Sequence, residues 1–342
     1  MSVVPPKALR SILVLVTAIV VLLTLFCYRP YSSSVSTLRG VVPEARIGDV
    51  DWSRYAYTQY VTNTDYLCNS VMLFEALHRL GSKADRLMMY PEDFSVEDDN
   101  TSKESKLLRI AREKYNVKLK PIQVQSRLGV GATWAESYTK LLAFNQTQYD
   151  RVLSLDSDST VLQPMDELFL LPSFPVAMPR AYWLYPDYQI FSSQLVLIQP
   201  SKTEFDRIME AIKKASMDEY DMEILNKLYK DSALILPHRP YDLLTGEFRG
   251  DDHSAYLGTK LEKWDPYRIL HEAKFLHFSD WPVPKPWDSD PRNMMEKKQP
   301  KCQYNPETKE EDDCRALNVW LEIYDDFRRR RKAICGTEDD AL

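Results

Sequence analysis

Two hydrophobic periods take turns along this chain. Ala56 to Val61 is a short run of strand type. Asn69 to Leu80 follows with apolar residues at Val71, Leu73, Phe74, Leu77 and Leu80, a helical spacing that stops at Gly81. Arg86 to Tyr90 predicts a second strand, Lys103 to Asn116 an amphipathic helix, and Lys118 to Val124 a third strand. A helix over Ala135 to Phe144 and a strand over Arg151 to Leu155 come next. Pro175 to Pro179 and Ser193 to Ile198 add strands, and Lys202 to Ala215 and Met222 to Tyr229 add helices. Strands that alternate with helices imply an α/β fold with a mostly parallel, doubly wound sheet. A last helical stretch, Ala316 to Phe327, lies in a polar tail.

One segment breaks the alternation. Ser11 to Tyr28 is continuously apolar and uncharged. At about 18 residues it reaches the lower end of membrane-spanning length. It is longer than the usual core of a cleaved signal peptide, and Cys27-Tyr28-Arg29-Pro30 is a poor cleavage site. The expectation is a membrane helix preceded by a cytoplasmic tail, with Lys7 and Arg10 on the cytoplasmic side and the bulk of the chain in a lumen. Residues 29–52, low in pattern, read as a stem. Two sequons, at Asn100 and Asn145, agree with a lumenal location.

Composition adds bounds. The 342 residues are 44% hydrophobic, enough for one large α/β domain with extras. The net charge of −6 gives no nucleic-acid surface. The one basic run, Arg328 to Lys332, reads as a solvated helix face. Outside the apolar segment stand Cys68, Cys302, Cys314 and Cys335. An oxidising lumen would allow three pairings of these, and a free buried thiol at Cys68 is the other reading. No Cys-x-x-Cys or His-pair spacing suggests zinc.

The chemistry concentrates at Arg151 to Phe169. The apolar run Val152 to Leu155 ends in Asp156-Ser157-Asp158. A strand that stops in two carboxylates places them at the edge where open α/β sheets bind ligands. Period 2 puts Asp156 and Asp158 on one side, where both can serve a hard divalent cation. A second copy of the tripeptide, Asp288-Ser289-Asp290, follows a Pro-rich stretch with no strand before it, and reads as a turn. Asp251-Asp252-His253 also reads as a turn, with a metal set as its competing reading.

Four segments in order carry a resemblance: Tyr60 to Leu77, Ser137 to Phe169, Asp221 to Asn226 (DMEILN) and His277 to Trp287 (HFSDWPVPKPW). Together they resemble glycosyltransferase family 8, the glycogenin-like enzymes. The whole chain is most similar to that family's fungal Golgi N-acetylglucosaminyltransferases, which share an N-terminal anchor and a Cys-containing tail. The resemblance implies a single GT-A (Rossmann-like) nucleotide-sugar-binding domain over residues 53–290. Residues 1–10 would be the cytoplasmic tail, 11–28 a transmembrane signal anchor, and 291–342 a Cys-containing C-terminal extension. It further implies a single-pass type II Golgi membrane protein with a lumenal catalytic domain.

The same resemblance assigns residues. Asp156, Asp158 and His277 would hold Mn²⁺, with Mg²⁺ possible in principle, on the diphosphate of a UDP-sugar. Lys285 would hold the diphosphate, and Lys140 would approach the donor. Tyr66 would pack on the uracil, with Thr62 and Asn63 as its turn partners, and Ser157 joins the donor contacts. Asp221 would sit near the sugar, with Glu223 as an alternative acid and N-capping as the bland reading of both. Met222 replaces the family Gln, and Ser192 of Ser192-Ser193 replaces the family Asn. Trp281-Pro282-Val283 lengthens the gap between His277 and Lys285. The implied reaction is retaining transfer of GlcNAc from UDP-GlcNAc to mannose-containing N-glycans in the Golgi. The competing readings are a UDP-glucose-dependent enzyme of the same family and a non-catalytic lumenal glycan-binding protein.

Overall fold

The computed structural model describes residues 50–97, 101–125, 136–305 and 307–336. All but Val50 belong to one compact unit, Asp51–Leu342. Strand β1 is Tyr55–Tyr60 and leads into helix α1, Thr64–Arg79. Then come β2 (Asp85–Pro91), α2 (Lys103–Tyr115) and β3 (Val117–Ile122). A 3-10 segment, Ser137–Asn145, precedes β4 (Arg151–Leu155) and β5 (Ser159–Val161). β6 (Val176–Pro179), β7 (Leu195–Ile198), α3 (Lys202–Lys213), α4 (Asp221–Tyr229) and β8 (Leu234–Leu236) follow. Short β9 (Leu243–Leu244) and β10 (Phe275–His277) come before the long last helix, α5 (Arg315–Cys335).

The main sheet has the order β3-β2-β1-β4-β7-β6-β8. β1 pairs in parallel with both β2 and β4, while β7 is antiparallel to β4. The chain runs outward from β1 in one direction and then resumes at β4 on the other side. That reversal makes the C-terminal ends of β1 and β4 a switch point, where such sheets leave a crevice. Both faces of the sheet are covered. Tyr57, Leu153 and Leu155 pack on the α1 side, while Ala56 and Val152 pack on the α4 side, as a period of 2 demands.

α1 starts earlier than the apolar spacing predicts. Asn63 caps it, its side chain accepting from the backbone N–H groups of Asp65 and Tyr66. The first turn is polar, so periodicity does not reveal it. Ser137–Asn145 is a 3-10 helix where an α-helix was expected, and Ala135 lies outside the described residues. Tyr138 to Leu141 are all buried, so this stretch has no solvent face to set a helical period.

The tail is docked. Cys68 pairs with Cys335 and Cys302 with Cys314, which settles the pairing and removes the free thiol at Cys68. α5 buries Val319, Trp320, Tyr324 and Phe327. Its basic run is only partly a solvated face. Arg330 donates to Glu75 (2.8 Å) and Arg331 to Asn69 (2.6 Å), both on α1. The residues flanking them stay outward because a helix turns about 100° per residue.

The expected Golgi membrane localisation is corrected. Among the described residues no helix is long and apolar enough to cross a membrane. Ser11 to Tyr28 and Asn100 lie outside the described residues.

Candidate active site

β4 leaves the sheet under tight control. The Gln59 amide donates to the carbonyls of Leu155 (2.9 Å) and Asp156 (3.2 Å), and Ser70 on α1 donates to Gln59 (2.9 Å). The Asp156 N–H donates to the Gln194 carbonyl beside β7 (2.9 Å). Ser157 turns its hydroxyl back to the Tyr60 carbonyl (2.7 Å). Ser157 therefore shapes the turn between the two aspartates.

His277 arrives on a second, small sheet of order β5-β10-β9. β10 runs antiparallel to β5, with His277 opposite Ser159, and parallel to β9, with His277 beside Leu244. The Phe278 N–H donates to the Asp158 carbonyl (2.8 Å). Strand pairing thus carries a histidine from late in the chain to the aspartates. One ligand atom from each of Asp156, Asp158 and His277 lies within 4.8 Å of the others, and no other such group occurs among the described residues.

His277 Nε2 stands 2.8 Å from Asp158 and 3.4 Å from Asp156. Yet neither buried ring nitrogen has a well-aligned hydrogen bond among the described residues. Short distances with poor alignment are what atoms converging on a common point give. A deeply buried polar group without an aligned partner is costly, so such groups mark sites that another ligand completes.

Three cationic side chains balance the carboxylates. Lys140 is buried between Asp156 (3.0 Å) and Asp221 (2.8 Å), and also donates to the Ser193 carbonyl (3.0 Å). Burial would lower its pKa, but the two carboxylates outweigh that and hold it above the ordinary lysine value. Lys285 pairs with Asp158 and donates to the Phe278 carbonyl, so it reaches the site despite the longer loop. Burial favours a protonated Asp158, yet His277 and Lys285 prevail and hold it well below the usual carboxylate range. Asp156 is lowered in the same way, chiefly by Lys140 against the effect of burial. For His277, burial opposes the imidazolium, but Asp158 and Asp156 push its pKa up to about 9.

The other expected residues divide. Ser193 donates to Asp221 (2.7 Å), which places the Ser192-Ser193 turn against the start of α4. Asn226 supports that turn by bonding both N–H and carbonyl of Phe191. Glu223 accepts from the Tyr220 N–H (2.9 Å), closing the first turn of α4, and no described contact joins it to the aspartates. Tyr66 meets Trp287 edge-on, 5.9 Å between ring centres. Asn63 is spent on capping α1. Thr62 lines an open cavity of about 390 Å³ with Pro91, Phe94, Ile122, Gln123 and Glu136, at the ends of β1, β2 and β3. In the Asp251-Asp252-His253 segment, His253 stacks on Trp264 and pairs with Glu247 (2.8 Å), and Asp252 accepts from the Ser254 N–H. These are turn and core contacts.

Two residues here escaped sequence reasoning. The Tyr60 hydroxyl donates to Asp156 (2.9 Å). Its place at the last position of β1, opposite the exit of β4, is the signal for it. Asp242, fully buried just before β9, is the second. Burial pushes its carboxyl up to about 7, with only partial relief from His277. An aspartate set between Tyr241 and Leu243-Leu244, with no charged neighbour to exempt it from the apolar run, is the signal that was there to read.

Comparison with known proteins gives the family and the fold. Over 291 residues the chain is 60% identical to glucose N-acetyltransferase 1 of Gibberella zeae, an alignment covering 84% of this chain and 63% of that protein. It is 52% identical to glucose N-acetyltransferase 1 of Aspergillus fumigatus, covering 83% of this chain and 77% of that one. The chain thus spans less than two thirds of the Gibberella zeae relative. No protein-family model matches the chain. Among solved structures, the galactosyltransferase LgtC in complex with donor and acceptor sugar analogs is similar, with a TM-score of 0.50 at 14% identity, covering 69% of this chain and 90% of that one. The bifunctional glycosyltransferase WbbM gives a TM-score of 0.50 at 15% identity, covering 70% and 48%. The fold is therefore that of a GT-A glycosyltransferase, and the chain belongs to the glucose N-acetyltransferase 1 family.

Proposed function

We propose that the chain is a divalent-metal-dependent, retaining glycosyltransferase that moves GlcNAc from UDP-GlcNAc to mannose-containing N-glycans. One observation carries the reading: Asp156, Asp158 and His277 converge within 4.8 Å at the switch point of the sheet. Two carboxylates and an imidazole suit Mn²⁺ better than Mg²⁺, and the unaligned His277 nitrogens fit a ligand role. A bound cation supplies Lewis acidity toward a departing diphosphate.

The chain's own residues supply the rest. Lys285, half-buried on its loop, offers the diphosphate a point charge. Lys140 fixes Asp156 and Asp221 in place, and so joins the metal end of the site to the sugar end. Asp221 and Ser193 stand at that sugar end. Tyr66 presents a ring for the uracil, and the cavity beside Thr62 has room for the nucleoside. The relatives' name couples glucose with an N-acetyl group, which supports GlcNAc as the transferred sugar.

The test incubates the full chain with a UDP-sugar panel, Mn²⁺ and mannose-rich glycans. The expected result is UDP release from UDP-GlcNAc with a product heavier by one GlcNAc, both lost in EDTA. Persistence in EDTA contradicts metal dependence. Equal use of UDP-glucose contradicts the donor assignment, and UDP release without product contradicts transfer.

A further inference from the structure

Trp281 is 90% exposed, while every other tryptophan among the described residues is buried or half-buried. A lone exposed apolar side chain is ordinary. Two features set this one apart, its place beside the site and the fixity of the loop beneath it. The loop is tied to Asp158 at both ends. At its start the Phe278 N–H donates to the Asp158 carbonyl (2.8 Å); at its end Lys285 pairs with the Asp158 carboxylate and donates to the Phe278 carbonyl. Trp281 is three residues from Phe278, so their Cα atoms are at most about 11 Å apart. An oligosaccharide spans that distance.

The backbone under the indole is held from several sides. Asp280 is buried, pairs with Arg249, and accepts from the Trp320 indole N–H (2.7 Å) and the Tyr324 hydroxyl (3.2 Å). The Val283 N–H donates to the Asp280 carbonyl (2.8 Å), closing a tight turn with Trp281 and Pro282 at its corner. Arg249 also donates to the Trp281 carbonyl (3.3 Å), and the Gly246 N–H to the Ser279 carbonyl (3.2 Å). A Cβ at position 246 would come within 2.9 Å of that Ser279 oxygen, so the two backbones touch directly. The polar groups of the turn are spent on its shape, and the indole is what it presents outward.

The donor is provided for elsewhere. Lys285 turns inward to Asp158, and Tyr66, the ring for the uracil, meets Trp287 beyond it. What stands on the outer side of the loop is the acceptor. A pyranose has a face of C–H groups, and the electron-rich face of an indole attracts such a positive edge. Arg249 and Asp280 neutralise each other beside the ring, which suits an uncharged ligand.

We infer that Trp281 is an acceptor-contact residue, whose indole stacks on a pyranose ring of the glycan that receives the sugar. This rests on the glycan-acceptor reading above.

The test measures initial rates of the full chain with UDP-GlcNAc and Mn²⁺ for wild type, Trp281→Ala and Trp281→Phe, on methyl mannoside and on a mannose-rich glycan. Calorimetry gives UDP-GlcNAc affinity, and melting temperature is read on the same proteins. Trp281→Ala is expected to raise the glycan KM about tenfold, the scale of one aromatic stacking contact. kcat and UDP-GlcNAc affinity should stay within about twofold, as for loss of uniform binding. The melting temperature should not change, because the ring is exposed. Trp281→Phe, which keeps a ring, should recover most of the loss. A rise in KM for the glycan alone places the indole on a sugar behind the reacting one; an equal rise for methyl mannoside places it on the reacting sugar. An unchanged glycan KM in Trp281→Ala would overturn the inference. So would a matching loss of UDP-GlcNAc affinity, which marks a donor contact, or a lower melting temperature, which marks a structural role. Wild type that transfers to neither acceptor would instead overturn the acceptor reading on which the inference stands.

Discussion

Asp156-Ser157-Asp158 and Asp288-Ser289-Asp290 are the same tripeptide, put to opposite uses. The first ends a buried strand. Its backbone is bonded on both sides, and its carboxylates meet His277, Lys140 and Lys285 within a closed charge network. The second lies in an exposed loop. Asp290 there accepts from the Met294 and Met295 N–H groups (2.7 Å each) and caps a short helix, while Asp288 is exposed. The residues are identical, so what differs is the sheet. A strand edge fixes where two carboxylates point and leaves them only partly exposed, and a second strand can then deliver a histidine to them. In the turn Asp290 is spent on nearby backbone donors, and no strand brings a histidine to Asp288 beside it.

The comparison breaks most easily on activity. Asp156→Ala or Asp158→Ala should cut transfer by on the order of 10³-fold, the scale of losing an electrostatic contact in a closed site. Asp288→Ala and Asp290→Ala should leave turnover intact, with at most a slight fall in melting temperature for the latter. Initial rates on the four purified variants check this; comparable losses in both copies would refute the contrast.

Lys140 gives the next largest effect, and one on stability. Removing it takes the buried cation from between Asp156 and Asp221 and leaves Tyr60 and His277 to the first and Ser193 to the second, so Lys140→Ala should cost about 3–5 kcal/mol. Denaturant unfolding measures it. A cost below about 1 kcal/mol, as for an exposed lysine pair, would mean the network is not closed.

A smaller effect concerns pH. His277 must shed its proton before its nitrogen can hold a cation. Asp158 and Asp156 push its pKa up to about 9 against the effect of burial, so the imidazolium persists above neutrality in the metal-free protein. Mn²⁺ affinity should accordingly climb from pH 6.5 to about 9 and then level off. A flat profile would show that His277 takes no part.

How much of this was legible follows from the kind of signal each part leaves. The run Val152 to Leu155 ending in Asp156 is local, and the strand with its edge carboxylates could be read from it. His277 is far away in sequence; no periodicity marks it, and only likeness to known enzymes singled it out. The pairing of β10 with β5 explains its place. Tyr60 and the α5 contacts of Arg330 and Arg331 depend on packing between distant elements, so local pattern assigned them to strand or solvent. Disulfide pairing is likewise a fact of three-dimensional proximity, and the four cysteines alone left three choices open. Glu223 shows the converse: capping was one reading of it, and the structure gives its side chain to the Tyr220 N–H. Asn63, expected as a turn partner of Tyr66, caps α1.

The central claim is that one divalent cation site is made by Asp156, Asp158 and His277 and not by the second Asp-Ser-Asp. Mn²⁺ titration of the full chain, followed by electron paramagnetic resonance of the free ion, tests it most directly. The account predicts one site per chain, weakened at least tenfold in Asp158→Asn and in His277→Ala, and unchanged in the Asp288→Asn, Asp290→Asn double variant. Undiminished binding in His277→Ala, or loss of the site in the double variant, would contradict it.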